Sequence, residues 1–350
     1  MRKIRIAQIG VNFYSHGSQI YASLRKQSDL FEFVGCCLPE NERERLPDQV
    51  AGLGEFTELT LDEVLNDPSI EAVAIETDEI YLTKYALLAA AHNKHIHMEK
   101  PGGREVSDFE KLMLKMKETG KVFHIGYMYR YNPAVQDLKR KVHSGELGQI
   151  VSVEAQMSCY HKESVRSWLQ ELPAGMMFFL GCHLVDLVLQ LQGEPDHIIP
   201  LNRHTGMDGI DTPDFGMAVL EYPNGVSFVK TTDIERGGFM RRQLVICGSL
   251  GSLEIRPLEQ YTCGIPYYCD SVLYTSLRSE PDKIRPWVKP AEATPCEPYQ
   301  RYRGGFDEFA QRIWNNKPST EEELLREARV HRILLAACGI DCDYKGEITL

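Results

Sequence analysis

The feature that most constrains this chain is an alternation of short apolar segments and amphipathic helical segments over about its first 125 residues. Strand patterns run over 4–9, 31–38, 71–76, 95–99 and 122–125. Helical patterns at 20–26 and 83–92, and one ending at Thr119, lie between them. Thr60-Leu-Asp-Glu63 and Ser107-Asp-Phe-Glu110 both read as capping boxes, in which a hydroxyl and a carboxylate satisfy each other's backbone N–H. Parallel strands need a crossover between them, and a helix is the usual crossover. The alternation therefore predicts an α/β domain with a doubly wound parallel sheet, residues 1–125.

The period changes after that. A helix is predicted over 133–144, a half-exposed strand over 149–157 and one long helix over 174–192. From Asp214 to Ile255 strand patterns follow each other across turn signals: Pro-Asn-Gly at 223–225, Gly-Gly at 237–238 and Gly-Ser-Leu-Gly at 248–251. Short turns between successive strands predict antiparallel pairing. Residues 126–350 thus read as an α+β domain with one large open, mainly antiparallel sheet. The stretch 260–300 has no clear period and reads as a long excursion. Helices are expected at 306–315 and 321–338, the second capped by Ser319 or Thr320.

Composition narrows the function. Lys and Arg number 39 against 50 Asp and Glu, a net charge of −11, so the basic footprint of a nucleic-acid binder is missing. No apolar run reaches the ~18 residues of a membrane span; Leu172–Val185 is too short and contains His183. The start MRKIRIAQIG runs straight into a strand pattern and carries no secretion signal, so a cytoplasmic location is expected. The ten cysteines contain no C-x-x-C pair, and free thiols are the expected state. His92, His95 and His97 lack a further ligand, so no metal site is expected.

Several residues stand where chemistry is done. Gly10, Asn12 and Ser15 follow the first strand and precede a helix, at the spacing of the G-x-G-x-x-G/A dinucleotide loop. Leu38 occupies the position of the acid that meets an adenosine ribose, and Arg43 and Arg45 follow it closely. With no carboxylate at Leu38, discrimination against a 2′-phosphate is expected to be weak, and either NAD or NADP is the predicted cofactor. Lys100 closes a strand in His97-Met-Glu-Lys-Pro-Gly102, where a lysine faces the ligand crevice of such a sheet. On the 174–192 helix, Phe179, His183, Asp186 and Gln190 fall on one stripe at 100° per residue. A histidine with an aspartate nearby reads as a base with an orienting partner.

Together these pieces resemble the Gfo/Idh/MocA family of NAD(P)-dependent oxidoreductases. The carrying residues are Glu99-Lys100-Pro101, Gly126 with Arg130-Tyr131-Asn132-Pro133, Gly181-Cys-His183-Leu-Val-Asp186 and Gly193-Glu-Pro195. The resemblance implies a Rossmann domain followed by a domain whose open sheet forms oligomer contacts, hence a homo-oligomer, a dimer or tetramer. It implies hydride transfer between nicotinamide and a hydroxyl or carbonyl of a sugar, polyol or related small molecule. Lys100 would be the catalytic lysine and His183 the acid/base or substrate-holding group. Candidate substrate-binding residues are Tyr127, Arg130, His161, Trp168, Phe179 and Asp186. Candidate cofactor-binding residues are Gly10, Asn12, Phe13, Tyr14, Ser15, Leu38, Arg43, Thr77, Asp78, Glu99 and Lys100. The Lys100–Pro101 peptide is expected to be cis.

The chain departs from the family pattern at Asn12, at Leu38, at Thr77-Asp-Glu-Ile-Tyr-Leu82 and at Phe179, where the family often has an aspartate. An aromatic wall there implies an apolar portion of the substrate. Two other readings stay open on these departures. One is a non-catalytic ligand sensor on the same fold; the other is a sugar lyase or hydrolase that uses tightly held NAD in a closed redox cycle.

Overall fold

The computed structural model describes residues 2–261, 268–277 and 291–350. The chain divides into two compact units. The first comprises Met1–Tyr127, Tyr302–Arg332 and Asp343–Leu350; the second comprises Met128–Arg301 and Ile333–Cys342.

Five parallel strands form the core of the first unit: β1 (Ile4–Ile9), β2 (Phe31–Cys37), β3 (Ala72–Ile75), β4 (His95–Met98) and β5 (Phe123–Ile125). Their order is β2-β1-β3-β4-β5. The order reverses between β1 and β3, and the loops that leave these two strands flank the crevice where such sheets bind ligands. The central strand β3 is Ala-Val-Ala-Ile with every residue buried. The capping box at Thr60 forms and opens the helix Leu61–Asn66, a feature worth about 1 kcal/mol. The one expected at Ser107 does not. The helix starts at Val106 with Glu105 as an uncapped first residue, so Ser107 already lies inside the first turn.

The sequence pattern places everything after residue 125 in the second domain, yet the helix Arg303–Trp314 and the start of the helix Glu321–Ala337 belong to the first unit. Aromatic packing explains this. The Phe306 ring lies 5.6 Å from that of Phe31 and 4.7 Å from that of His97. Ser319 Oγ accepts from the Phe123 N–H at 2.9 Å and donates to the Phe123 carbonyl, so it holds the edge of β5 and leaves capping to Thr320, which pairs with Glu323.

In the second unit β6 (Ile150–Gln156), β7 (His197–Pro200), β8 (Phe215–Tyr222), β9 (Gly225–Thr232), β10 (Gln243–Gly248) and β11 (Gly251–Ile255) are followed by β12 (Gln260–Tyr261), β13 (Tyr268–Asp270), β14 (Val272–Leu277), β15 (Glu292–Pro295) and β16 (Tyr299–Gln300). Eight of them form one sheet in the order β15-β14-β11-β10-β6-β9-β8-β7. The expected antiparallel hairpins β8–β9 and β10–β11 are present. Between them, β6 pairs antiparallel to β10 and parallel to β9, so β9 and β10 are not neighbours. The predicted excursion over 260–300 forms short antiparallel strands where it is described; residues 262–267 and 278–290, with Cys263, lie outside the described residues.

The predicted helix over 174–192 is also corrected. Ala174 and Gly175 have φ of +50° and +47°, a left-handed backbone that bars a right-handed helix there. The chain then makes a π-helical turn, Met177–Gly181, and continues as the α-helix Cys182–Gln192. No described helix is long and apolar enough to cross a membrane.

Candidate functional site

In the first unit the loop after β1 is shaped by steric demands. Gly10 has φ of +89°, and a Cβ there would lie 2.6 Å from the Thr77 nitrogen, so only glycine lets the β1 and β3 loops approach. Asn12, where the motif has its second glycine, adopts the left-handed φ of +45° that asparagine tolerates best among side-chain-bearing residues. Its Oδ1 accepts from the Ser15 N–H at 2.9 Å. Two carboxylates staple the rest of the loop: Glu42 accepts from Val11 N–H at 3.1 Å, and Asp78 from Phe13 N–H at 2.7 Å. The helix Gly17–Lys26 begins directly afterwards with no acidic residue in its first turn. Its Gly17 would place a Cβ 2.2 Å from the Val11 carbonyl, so only glycine lets the helix start this close to the loop.

The residues of this loop fit a dinucleotide. Asn12 is 2% exposed, and its Nδ2 has no hydrogen-bond partner among the described residues. A buried open donor at a helix N-terminus suits a phosphate oxygen. At the adenosine end, Leu38 is partly buried against a cluster that includes Val11, Tyr21 and Cys36, so it offers shape but no charge. Arg43 is engaged with Glu58, and Arg45 with Asp78 at 2.8 Å. Glu40, the nearest acid after β2, is held by Lys84 and by the Tyr85 hydroxyl. Tyr14 is exposed beside the loop.

Lys100 follows β4, is 1% exposed and precedes a cis peptide to Pro101. One oxygen of Glu99 ties it to the loop: Glu99 Oε1 accepts from Ser15 Oγ at 2.9 Å and lies 3.3 Å from Lys100 Nζ. Burial would raise the Glu99 carboxyl, but His16 and Lys100 outweigh it and hold the group below the usual carboxylate range. Two further buried acids stand close by. Burial, then the Glu99 charge, drives Glu76 well above the usual range. Burial, partly opposed by Lys100, pushes Glu79 up to about 8. Glu42 rises to about 8 for the same first reason. The sequence pattern missed Glu42, Glu76 and Glu79. For Glu76 and Glu79 the one available signal was a carboxylate at or just past the end of an all-apolar strand.

In the second unit, Asp186 does not orient His183. Its carboxylate takes Arg130 Nε at 3.0 Å and Nη2 at 2.6 Å, a two-nitrogen clamp, with Gln190 Nε2 at 3.4 Å. The π turn takes up an extra residue and shifts Phe179 relative to His183, Asp186 and Gln190, which share the regular helix after it. Phe179 meets the Trp168 ring edge-on at 5.3 Å and lies 6.2 Å from His161, while His183 meets the Tyr129 ring edge-on at 5.0 Å. The Tyr129 hydroxyl belongs to a buried network in which Glu259 Oε1 accepts from Arg242 at 3.0 Å and Arg301 at 2.6 Å. His161 is pushed down to about 4 by burial and by Arg242, so it is neutral at pH 7. Among the described residues no group of His, Cys, Asp and Glu could hold a metal ion.

Two family models match the chain. Residues 4–127 match the model described as an oxidoreductase family with an NAD-binding Rossmann fold, and residues 135–254 match the GFO/IDH/MocA C-terminal domain. Among curated relatives, the uncharacterized oxidoreductase YhhX of Escherichia coli is 30% identical over 159 residues, covering 45% of this chain and 46% of the relative. The NAD+-dependent scyllo-inositol 2-dehydrogenase of Bacillus subtilis is 38% identical over 87 residues, 25% of each chain. The aligned parts therefore span about half or less of these relatives. A solved levoglucosan dehydrogenase, in complex with NADH and levoglucosan, shares the fold with a TM-score of 0.73 at 18% identity, over 97% of this chain and 98% of that one.

Proposed function

This chain belongs to the GFO/IDH/MocA oxidoreductase family, and on that premise we propose that it moves a hydride between a nicotinamide dinucleotide and a carbinol or carbonyl of a sugar- or polyol-like small molecule. The observation that carries the reading is the shared oxygen of Glu99, which links the candidate phosphate loop, through Ser15, to the buried ammonium of Lys100. The scyllo-inositol dehydrogenase and the levoglucosan dehydrogenase support a polyhydroxylated substrate.

The loop from Gly10 to Ser15, with Asn12 Nδ2 as its open donor, would hold the dinucleotide's phosphates, with Thr77 and Asp78 beside it. When bound, the nicotinamide supplies the hydride donor or acceptor. Lys100 would hold the reacting oxygen and stabilise or relay its proton, with Glu99 keeping the ammonium in place. His183 is assigned to proton transfer or substrate holding, steadied by Tyr129. Arg130 and Asp186, locked on each other, serve the site by fixing the helix Cys182–Gln192. Phe179 and Trp168 offer an apolar wall, and Tyr127 and His161 complete the assigned set. The half-exposed sheet, with Val151, Ile199 and Val226 at its surface, is the face through which we expect copies to associate.

The test is calorimetric titration with NAD+, NADH, NADP+ and NADPH, followed by a sugar and polyol screen at 340 nm. Binding of at least one cofactor and reduction or oxidation with at least one polyol is the expected result. Absence of binding for all four cofactors would overturn the reading.

A further inference from the structure

Two buried side chains of the second unit have no role in that scheme. Arg166 is 1% exposed and Asp233 is 0% exposed. Among the described residues, Nε and Nη1 of Arg166 and both carboxyl oxygens of Asp233 have no hydrogen-bond partner, and Arg166 Nη2 is taken by Asp208. The backbone brings the two together at one end of the sheet. Thr212 Oγ donates to the Arg166 carbonyl at 3.0 Å, and the carbonyl of Asp214, two residues on, accepts from the Asp233 N–H at 3.2 Å. His161 N–H in turn donates to the Asp233 carbonyl at 2.8 Å.

Burial and Asp214 push the Asp233 carboxyl up to about 7, against the pull of Arg166. Arg166 and Asp233 are nonetheless not joined within 4.0 Å. Native proteins leave few buried polar atoms unpaired, and a donor group and an acceptor group left open side by side mark a place for a ligand with both kinds of atom.

Charge decides which ligand. Arg166 already carries Asp208, and Asp214 and Asp233 are close by. A carboxylate ligand would set a further acid against one guanidinium, whereas a neutral hydroxyl can accept from Arg166 and donate to Asp233. The His161 imidazole, neutral at pH 7, and the Phe179 ring lie alongside, with Trp168 edge-on to Phe179, a wall suited to the C–H face of a ring. We propose that Arg166 and Asp233 form a hydroxyl-binding subsite for a neutral, polyhydroxylated ring, and that they select polyols over monohydroxy alcohols. The proposal deepens the oxidoreductase reading and rests on it only for the identity of the substrate.

The experiment titrates scyllo-inositol, levoglucosan, cyclohexanol and galacturonate into the full chain, without cofactor and with saturating nicotinamide cofactor. It compares wild type with Arg166→Met and Asp233→Asn; Arg166→Lys serves as the second variant if Arg166→Met does not fold. Melting temperature and cofactor affinity check folding. The expected result is that wild type binds at least one of the two neutral polyols and that each folded variant binds it at least tenfold more weakly. Cyclohexanol binding should change by no more than twofold. Polyol affinity within twofold of wild type in the variants overturns the subsite, as does a wild type that binds neither polyol, or one that prefers galacturonate. Failure to bind any cofactor, with the polyol result intact, sinks the oxidoreductase reading alone.

Discussion

Glu79 and Glu259 are both fully shielded from solvent, one in each unit, and their charge states differ. Glu79 has no ion-pair partner among the described residues, and burial pushes it up to about 8. Burial pulls Glu259 upward as well, but Arg301 and Arg242 outweigh it and keep the carboxylate ionised. Burial alone therefore sets neither group; the number of cations within reach does. The first unit crowds Glu76, Glu79 and Glu99 around one buried ammonium, Lys100. That suits a place where protons move. In the second unit Arg130, Arg242 and Arg301 fix a helix and a buried tyrosine, which suits a place where a substrate is held.

The largest expected effect is on Lys100. Lys100→Met should lower kcat by roughly 10²- to 10⁴-fold, the usual range for acid–base assistance, while cofactor affinity by titration changes little. A variant that keeps more than half the wild-type rate would move the chemistry away from the acid-crowded unit.

Next comes the paired acid. Glu259→Gln strands Arg242 and Arg301 without their countercharge, and should cost about 3–5 kcal/mol in denaturant unfolding. Glu79→Gln removes an acid that is already neutral below its raised pKa, and should cost far less at pH 6. Equal losses from the two would erase the contrast between the units.

The unpaired acids also leave a signature in pH. A carboxyl whose folded pKa is raised keeps a proton that the unfolded chain releases, so its stabilising effect is full below about 4.5 and is lost as pH climbs through about 8. Stability should fall over that window, by up to about 1.4 kcal/mol per pH unit for each such group. Melting curves at pH 5.5 and 8.5 should show the fall, and a smaller fall in Glu79→Gln.

The smallest effect concerns the cofactor. Leu38 brings no carboxylate, and Glu40 is occupied by Lys84 and Tyr85. Affinities for NAD and NADP should agree within roughly tenfold, about 1.4 kcal/mol, and Glu40→Gln should not move the ratio. A preference for NAD above a hundredfold would show that another acid meets the ribose.

Local pattern determined much of this protein. The five parallel strands, the glycine that must follow β1, the Thr60 cap and the lysine at the end of β4 all derive from residues a few positions apart, because strand period, turn sterics and capping are short-range effects. The long-range choices escaped it. Nothing near Phe306 or Ser319 says that they pack on β2, β4 and β5, and nothing in 150–156 says that this strand slips between β9 and β10. Of the stripe from Phe179 to Gln190, His183, Asp186 and Gln190 share one regular α-helix, and Phe179 alone falls in the π turn. A helical wheel assumes 100° per residue, and a left-handed Ala174–Gly175 step leading into a π turn breaks that assumption. Charge states were the least legible of all. Asp186 beside His183 and Glu79 beside Asp78 look alike in the sequence; one finds Arg130 and the other finds no ion-pair partner among the described residues. A carboxyl's energy depends on what lies within a few ångströms in space, and only the tertiary structure decides that.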